Sequence, residues 1–306
     1  MLSGLRDVVA ESEIVAVVNT GDDLEVHGLY VSPDLDTITY TLAGASNSAT
    51  GWGLAGESFA AMDALDRYGV PTWFRLGDRD LATHLYRTAR LREGATLSEV
   101  TAEIARAWGI GARLLPMSDQ PVRTRLRLEG GSEVAFQEYF VKLRHSVSVE
   151  AVRFAGAQES RPAPGVLEAI QDATVVVVAP SNPVVSIDPI LAVPGIADAL
   201  RERRDSVVAV SPIVAGRALK GPADRLLDEL GGDSSVVGVA RWLEETVGTL
   251  VIDGSDAALA GEVEGAGVHC VVAETVMASA EAAAMLARAT LGAVTPRLAA
   301  PPRPPA

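Results

Sequence analysis

Aromatic residues make up only 5% of this 306-residue chain, and cysteine occurs once, at Cys270. A single thiol excludes an internal disulfide and a multi-cysteine zinc site, and it fits a reducing cytoplasm. Cys270 stands in the apolar run V-H-C-V-V, where a thiol fills core space. No apolar segment approaches the ~18 to 20 residues that span a bilayer, and no signal-peptide pattern follows Met1, so no membrane partner is expected. Positive charge is scarce as well: 26 Lys and Arg stand against 40 Asp and Glu, a formal net charge of −14. Binding a nucleic-acid backbone needs a basic stripe, and none occurs, which argues against nucleic acid as a partner. An anionic ligand must then be held by local donors or by a metal. With 48% hydrophobic residues the chain can bury a sizeable core, as one large α/β unit or two domains.

The stretch that organises the chain is Ala173 to Leu191, A-T-V-V-V-V-A-P-S-N-P-V-V-S-I-D-P-I-L. Val175 to Val178 are apolar on both faces, the pattern of a central strand in a parallel sheet covered by helices on each side. Pro180 ends that strand. The loop beyond it carries Ser181, Asn182, Ser186 and Asp188 among three prolines. Ligands of open α/β sheets bind outside the carboxyl ends of strands, where this loop falls. A proline-stiffened connection whose polar groups cap turns accounts for the same residues equally well.

A second strand-to-loop junction lies near the start. Ile14 to Val18 runs into N-T-G-D-D at Asn19 to Asp23, and S-P-D-L-D-T follows at Ser32 to Thr37, so Asp22, Asp23, Asp34 and Asp36 fall within fifteen residues. Carboxylates this close repel one another unless solvated or bound to a cation. Hard oxygen ligands suit Mg²⁺, which takes one or two carboxylates together with substrate phosphates. Each of the four serves equally well as a turn or cap residue facing water.

Residues 44–112 interrupt the alternation of strand and helix with small, polar and mostly helical sequence, which reads as a lid or insertion. Within it, P-T-W-F-R-L is strand-like, Asp80 is placed to cap the helix Leu81 to Leu91, and His84 stands alone on that helix as a structural histidine. Thr96 and Glu99 have capping-box spacing for the next helix. Residues 113–295 return to alternation: L-L-P-M-S-D ends in Ser118 and Asp119, F-Q-E-Y-F-V reads as a strand with alternating polar positions, and Ser206 to Val210 as another. Arg123 and Lys142 are candidate phosphate partners, although surface cations on strands commonly only solubilise. In S-P-I-V-A-G-R-A-L-K-G-P, Gly216 and Gly221 allow backbone to approach a phosphate while Lys220 supplies a point charge. V-V-G-V-A, before the helix Ala240 to Val247, reads as a further strand. Residues 296–306 are too rich in proline to fold.

Taken together, N-T-G-D-D, S-P-D-L-D-T, G-W-G, W-F-x-L-G-D-R-D-L-A-T-H, L-P-M-S-D, F-Q-E-Y-F-V, P-S-N-P-V-V-S-I-D-P-I-L and S-P-I-V-A-G-R-A-L-K-G-P resemble the CofD/FbiA family, colinearly from about Leu2 to Leu291. These transferases place 2-phospho-L-lactate, or phosphoenolpyruvate in actinobacteria, on a deazaflavin during coenzyme F-420 biosynthesis. The resemblance implies a Rossmann-like α/β fold, a mostly parallel sheet with helices on both faces and a helical insertion. It also implies a cytoplasmic homodimer and a Mg²⁺-dependent reaction. In that reaction a ribityl hydroxyl of Fo, the 8-hydroxy-5-deazaflavin, attacks the phosphorus bearing the three-carbon acid in a guanosine diphosphate conjugate, and GMP leaves. Carried onto this sequence, it makes Asp22 and Asp36 the catalytic pair and Asp22, Asp23 and Asp36 the metal ligands. Ser181, Asn182, Ser186 and Lys220 fall on the nucleotide side, and Asp34, Trp52, Asp78 and Arg79 on the acceptor side. Abundant alanine and arginine resemble an actinobacterial protein and point to the phosphoenolpyruvyl donor.

The resemblance departs at the start. Family members open with a strand and a G-G-x-G-G loop ahead of the helix that begins here at Leu2, so residues 1–43 read as the beginning of the sheet domain without those two parts. On that expectation the chain is poorly stable and nearly inactive. A reading of another class, a nucleotide-sugar-binding regulator related to the gluconeogenesis factors, remains open; recognition of Fo discriminates between the two.

Overall fold

The computed structural model describes residues 1–47, 51–219 and 221–294. Lys220 and the tail from 296 onward lie outside the described residues. The chain divides into two compact units, one of Glu11–Val166 and one of Met1–Ala10 with the chain from Leu167 onward. Helix α1 (Leu2–Arg6) opens the chain and belongs to the latter.

In the unit of Glu11–Val166, β1 (Val15–Val18) is followed by a hairpin of β2 (Leu24–Val26) and β3 (Leu29–Val31). The hairpin turns on His27 and Gly28, with φ of 51° and 75°. Two consecutive left-handed residues are what a two-residue hairpin loop requires. Helices α2 (Pro33–Leu42), α3 (Ala60–Asp66), α4 (Asp80–Arg92) and α5 (Leu97–Ala107) come next. Then β4 (Arg113–Pro116) pairs in parallel with β1, Val15 opposite Arg113 and Val18 opposite Pro116. An antiparallel sheet of β5 (Arg123–Leu128), β6 (Glu133–Ala135) and β7 (Val149–Ala155), in the order β6-β5-β7, completes the unit.

Two caps inside this unit are exchanged between helices. The Glu57 carboxylate accepts the amides of Arg79 and Asp80 at 2.9 and 2.8 Å, opening α4. The Asp78 carboxylate accepts the amides of Ala60 and Ala61 at 2.9 and 3.0 Å, opening α3. A Cβ at Gly77 would lie 2.3 Å from the Glu57 carboxyl carbon, so a side chain there would displace that cap. Asp80 is therefore the first residue of its helix and not its cap, as the sequence suggested. The capping box of Thr96 and Glu99 forms as expected. Two strand expectations fail here: P-T-W-F-R-L makes no strand, and in F-Q-E-Y-F-V the residues Glu138–Lys142 form a π-helical turn. There Phe136 and Phe140 stack with centroids 5.5 Å apart, a contact that an extended strand, which sets residues four apart about 13 Å from each other, cannot make and a helical turn permits.

The other unit holds a four-stranded parallel sheet. Helix α6 (Val166–Asp172) leads to β8 (Val176–Val178), and short α7 (Asp188–Leu191) and α8 (Ile196–Glu202) lead to β9 (Val207–Val210). A hairpin of β10 (Ile213–Val214) and β11 (Arg217–Ala218) and helices α9 (Ala223–Glu229) and α10 (Val236–Leu243) precede β12 (Thr249–Asp253). Finally α11 (Ala260–Gly265), β13 (His269–Ala273) and α12 (Ala280–Gly292) close the fold. The order is β13-β12-β9-β8. Every residue of β9 and β12 is buried, so both faces of the sheet's middle are covered. On one face Val208, Val210 and Val251 pack with Leu286 of α12 and with Met1. Helix α1 lies so close on α12 that a Cβ at Gly4 would fall 2.1 Å from the carbonyl oxygen of Ala283.

The valine block expected at the centre of the sheet sits instead at its edge, half-buried. An apolar run does not fix a strand's place in the order, and the buried middle belongs to β9 and β12. V-V-G-V-A is likewise helix α10, because the Ser235 hydroxyl accepts the amides of Val237 and Gly238, each at 3.2 Å, and starts a helix there. Among the described residues no single helix is long and apolar enough to cross a membrane.

A candidate carboxylate site in the loops after β1 and β3

The loop after β1 is built by its own side chains. The Asn19 side-chain oxygen accepts the Gly21 amide at 2.7 Å, and its nitrogen donates to Asp34 at 3.0 Å. The Thr124 amide donates to the Gly21 carbonyl at 2.8 Å, fastening the loop to the start of β5. Asp34 and Asp36 stand in the first turn of α2, so this arrangement gathers all four carboxylates of the acidic stretch.

They are not equivalent. Asp23 is buried and accepts from the hydroxyls of Ser32 at 2.6 Å and Tyr30 at 2.8 Å. Burial pushes its carboxyl up to about 7 even though Ser32, Arg123 and Tyr30 work the other way. Arg123 donates to the Tyr30 hydroxyl at 3.2 Å, with its guanidinium 5.6 Å from the centre of that ring. Asp36 is held by Arg87, which is 2% exposed and donates through both terminal nitrogens. His84 Nδ1 lies 3.6 Å from Asp36, and its Nε2 lies 3.1 Å from Asp80. Asp80 in turn accepts from the Tyr40 hydroxyl. Burial works against the Asp80 carboxylate, but His84 and Tyr40 outweigh it and hold the group below the usual carboxylate range. Asp36, Asp80 and His84 bring their ligand atoms within 4.8 Å of one another, a buried group that could hold a metal ion. In this arrangement Arg87 already neutralises Asp36.

Asp22 differs from both. It is buried, and its Oδ1 meets no hydrogen-bond partner. Burial, and then the charges of Asp34 and Asp23, push its carboxyl well above the usual range, with Asn19 and Thr124 only partly countering them. Half-buried Asp34 is pushed up to about 6, chiefly by burial. A buried carboxyl with an orphaned oxygen beside a second carboxyl is the donor set a hard cation fits. Asp22 and Asp34 thus offer carboxyl oxygens of the type a hard cation takes, beside the group of Asp36, Asp80 and His84.

The other expected residues have local duties. Asn182, in the second unit, caps the turn after β8 by accepting the Val184 amide at 3.0 Å, while its Nδ2 is buried without a partner. Ser181 and Ser186 are half-buried in the same loop. Asp188 accepts from the Trp242 indole at 2.9 Å, and burial pushes its carboxyl up to about 6. In the first unit Asp78 is occupied in capping α3, Arg79 donates to the Ala55 carbonyl at 2.5 Å, and Trp52 is 53% exposed. Sequence reasoning missed Arg87 and the pairing of Asp80 with His84. A signal existed: positions 80, 84 and 87 share one face of a helix, so a lone histidine there had an acid and a cation in reach. Nothing in the sequence pointed to Tyr30 or Thr124.

The family model described as 2-phospho-L-lactate transferase CofD matches residues 1–287. Among curated proteins, the phosphoenolpyruvate transferase of Streptomyces griseus is 46% identical over 303 residues, covering 95% of this chain and 93% of the relative. The phosphoenolpyruvate transferase of Mycolicibacterium smegmatis is 42% identical over 296 residues, covering 95% and 90%. A solved structure of a UPF0052-family protein from Bacillus halodurans shares the fold with a TM-score of 0.59 at 17% identity, covering 95% of this chain and 94% of that one. The chain belongs to the CofD family and is a transferase with an α/β fold.

Proposed function

We propose that this transferase moves a phosphoenolpyruvyl group from its guanosine diphosphate conjugate to the ribityl hydroxyl of Fo, releasing GMP, in coenzyme F-420 biosynthesis. The relatives at 42% and 46% identity are named for phosphoenolpyruvate, which favours that donor over 2-phospho-L-lactate. The observation that carries the reading is the orphaned Oδ1 of buried Asp22 beside Asp34. Phosphoryl transfer needs positioning and neutralisation of charge more than covalent help, and a hard cation between two carboxylates meets that need. Mg²⁺, once bound there, supplies the positive charge that the donor diphosphate requires.

The chain's own residues do the rest. The acceptor oxygen forms a bond to the phosphorus that bears the enolpyruvyl group, and the bond from that phosphorus to the bridging oxygen of GMP breaks. A carboxylate of the acidic stretch takes the proton the hydroxyl loses. Asp23, fixed by Ser32 and Tyr30, holds the loop that presents Asp22. Asn182 offers its buried, unpartnered Nδ2 to the nucleotide, with Ser181, Ser186 and Lys220 on the same side. Asp36 enters as a support of α2, Trp52, Asp78 and Arg79 as the acceptor side, and the working form is a cytoplasmic homodimer. Residues 44–112 act as the lid, and residues 1–43 with 113–295 as the nucleotide-binding body.

The test is a mass-spectrometric assay with Fo and each of the two guanosine diphosphate conjugates. The phosphoenolpyruvyl conjugate should give product and GMP in the presence of Mg²⁺, and chelation should stop it. Failure to bind Fo at all would overturn the proposal in favour of a nucleotide-sugar-binding regulator.

A further inference from the structure

Three buried oxygens in the loop after β1 and at the start of β5 lack hydrogen-bond partners: Asp22 Oδ1 and the hydroxyls of Thr20 and Thr124. The two threonines are each 1% exposed and Asp22 is 7% exposed, so solvent does not satisfy them. Buried polar atoms left unpaired are rare and costly, and three in one small region call for a common explanation. Thr124 is the informative one. Its amide ties β5 at 2.8 Å to the carbonyl of Gly21, the residue before Asp22, which brings Thr124 beside the Asp22 loop. Even so, neither Asp22 Oδ1 nor Thr124 Oγ1 completes a hydrogen bond. Two buried oxygens without partners, on segments that the Thr124–Gly21 hydrogen bond ties together, leave donor capacity for a shared third atom.

We propose that Thr124 is a functional residue of this site, its hydroxyl supplying a neutral oxygen next to Asp22 for a bound divalent cation, with the Thr20 hydroxyl supporting the same cation from the loop. The inference rests on the cation part of the proposed function and adds to it a ligand from β5, a strand outside the acidic stretch. Neutral hydroxyl oxygens suit a hard cation without adding to the repulsion between Asp22, Asp23 and Asp34. They also explain why a threonine is buried at a strand position where valine has the same shape and no hydroxyl to satisfy.

Manganese(II) binding to the full chain, read by calorimetry and by the loss of its free-ion paramagnetic resonance signal, tests this without reference to turnover. Thr124→Val should bind manganese at least tenfold more weakly than the wild type, while its melting temperature without metal stays the same or rises. Thr124→Ser should retain wild-type affinity. If Thr124→Val does not fold, Thr124→Ala carries the same expectation. Wild-type affinity in the valine or alanine variant overturns the role of Thr124 and leaves the cation reading standing. Absence of manganese binding in the wild type overturns both.

Discussion

Two clusters of buried carboxylates lie in the same unit, and they have been settled in opposite ways. Around Asp36, Arg87 and His84 arrive from α4 and Asp80 accepts from Tyr40, so each acid has a cation or a donor. Around Asp22 the neighbours are other acids, a carboxamide and hydroxyls, and one oxygen is left without a partner. The first matches every acid with a cation or a donor, leaving only Arg87 Nε and His84 Nε2 without a hydrogen-bond partner, and serves the fold. The second costs stability and is open to a ligand, which is how groups placed for function commonly differ from groups placed for structure. Both draw an acid from the first turn of α2; what differs is that Arg87 bonds Asp36 directly, whereas Arg123 reaches the second cluster only through the Tyr30 hydroxyl.

The largest effect expected is on turnover at the open cluster. Asp22→Asn removes the charge proposed to hold the cation and should lower transfer by about 10²- to 10³-fold or more, the scale seen when one electrostatic group of an active site is lost. Because the buried carboxyl is no longer there to be ionised, the same variant should gain stability at neutral pH in the absence of divalent cations. A melting curve that falls instead of rising would show that Asp22 is part of the closed type. Arg87→Met probes the other cluster and should behave in reverse. Leaving Asp36 without its cation costs about 3–5 kcal/mol, so denaturant titration should show a large loss of stability. Pairing it with Asp36→Leu should recover most of that loss.

Stability against pH separates the clusters further. Asp34 and Asp23 are pushed up to about 6 and about 7, and Asp22 in the same direction. The folded state therefore keeps protons that the unfolded chain has released, and stability falls as pH rises from about 4 to about 7. The drop should amount to several kcal/mol without metal. Saturating Mg²⁺ should flatten it, because a bound cation favours the ionised forms. Asp80, held below its usual value, works the other way: its contribution is present above about pH 4 and lost as pH falls further. A melting series from pH 4 to 8, with and without Mg²⁺, reads both trends, and a Mg²⁺-independent slope would count against the open site.

How much of this was legible beforehand depended on distance along the chain. The loop Asn19–Asp23 and the turn Ser32–Asp36 were visible as acidic strand and helix ends, and Asp22 stood out because it follows a buried strand. Arg87 did not, since its partner Asp36 lies 51 residues away and only the fold of α4 onto α2 joins them. Valine content located β9 correctly but placed β8 at the sheet's centre, because an apolar run does not report a strand's place in the order. F-Q-E-Y-F-V and V-V-G-V-A fooled the period: the first winds into a π-helical turn, and the second is helical because Ser235 caps it. The caps of α3 and α4 were hidden for the same reason as Arg87, Glu57 and Asp78 acting on amides 17 to 23 residues away.

The smallest effect expected sharpens the comparison by loosening one cluster without touching its charges. Helix α4 carries Asp80, His84 and Arg87, and its first amides are held by Glu57. Glu57→Ala removes that cap at a cost of about 1–2 kcal/mol, which for a unit of this size is a fall in melting temperature of roughly 2–8 °C. Glu57→Gln keeps one accepting oxygen and should lose less. Manganese affinity and the acceptor KM should stay near wild type in both variants, because the Asp22 loop is fastened to β5 through Gly21 and Thr124 and not to the start of α4. If Glu57→Ala weakens manganese binding as much as it lowers the melting temperature, the closed cluster sets the geometry of the open one, and the two have to be treated as a single site.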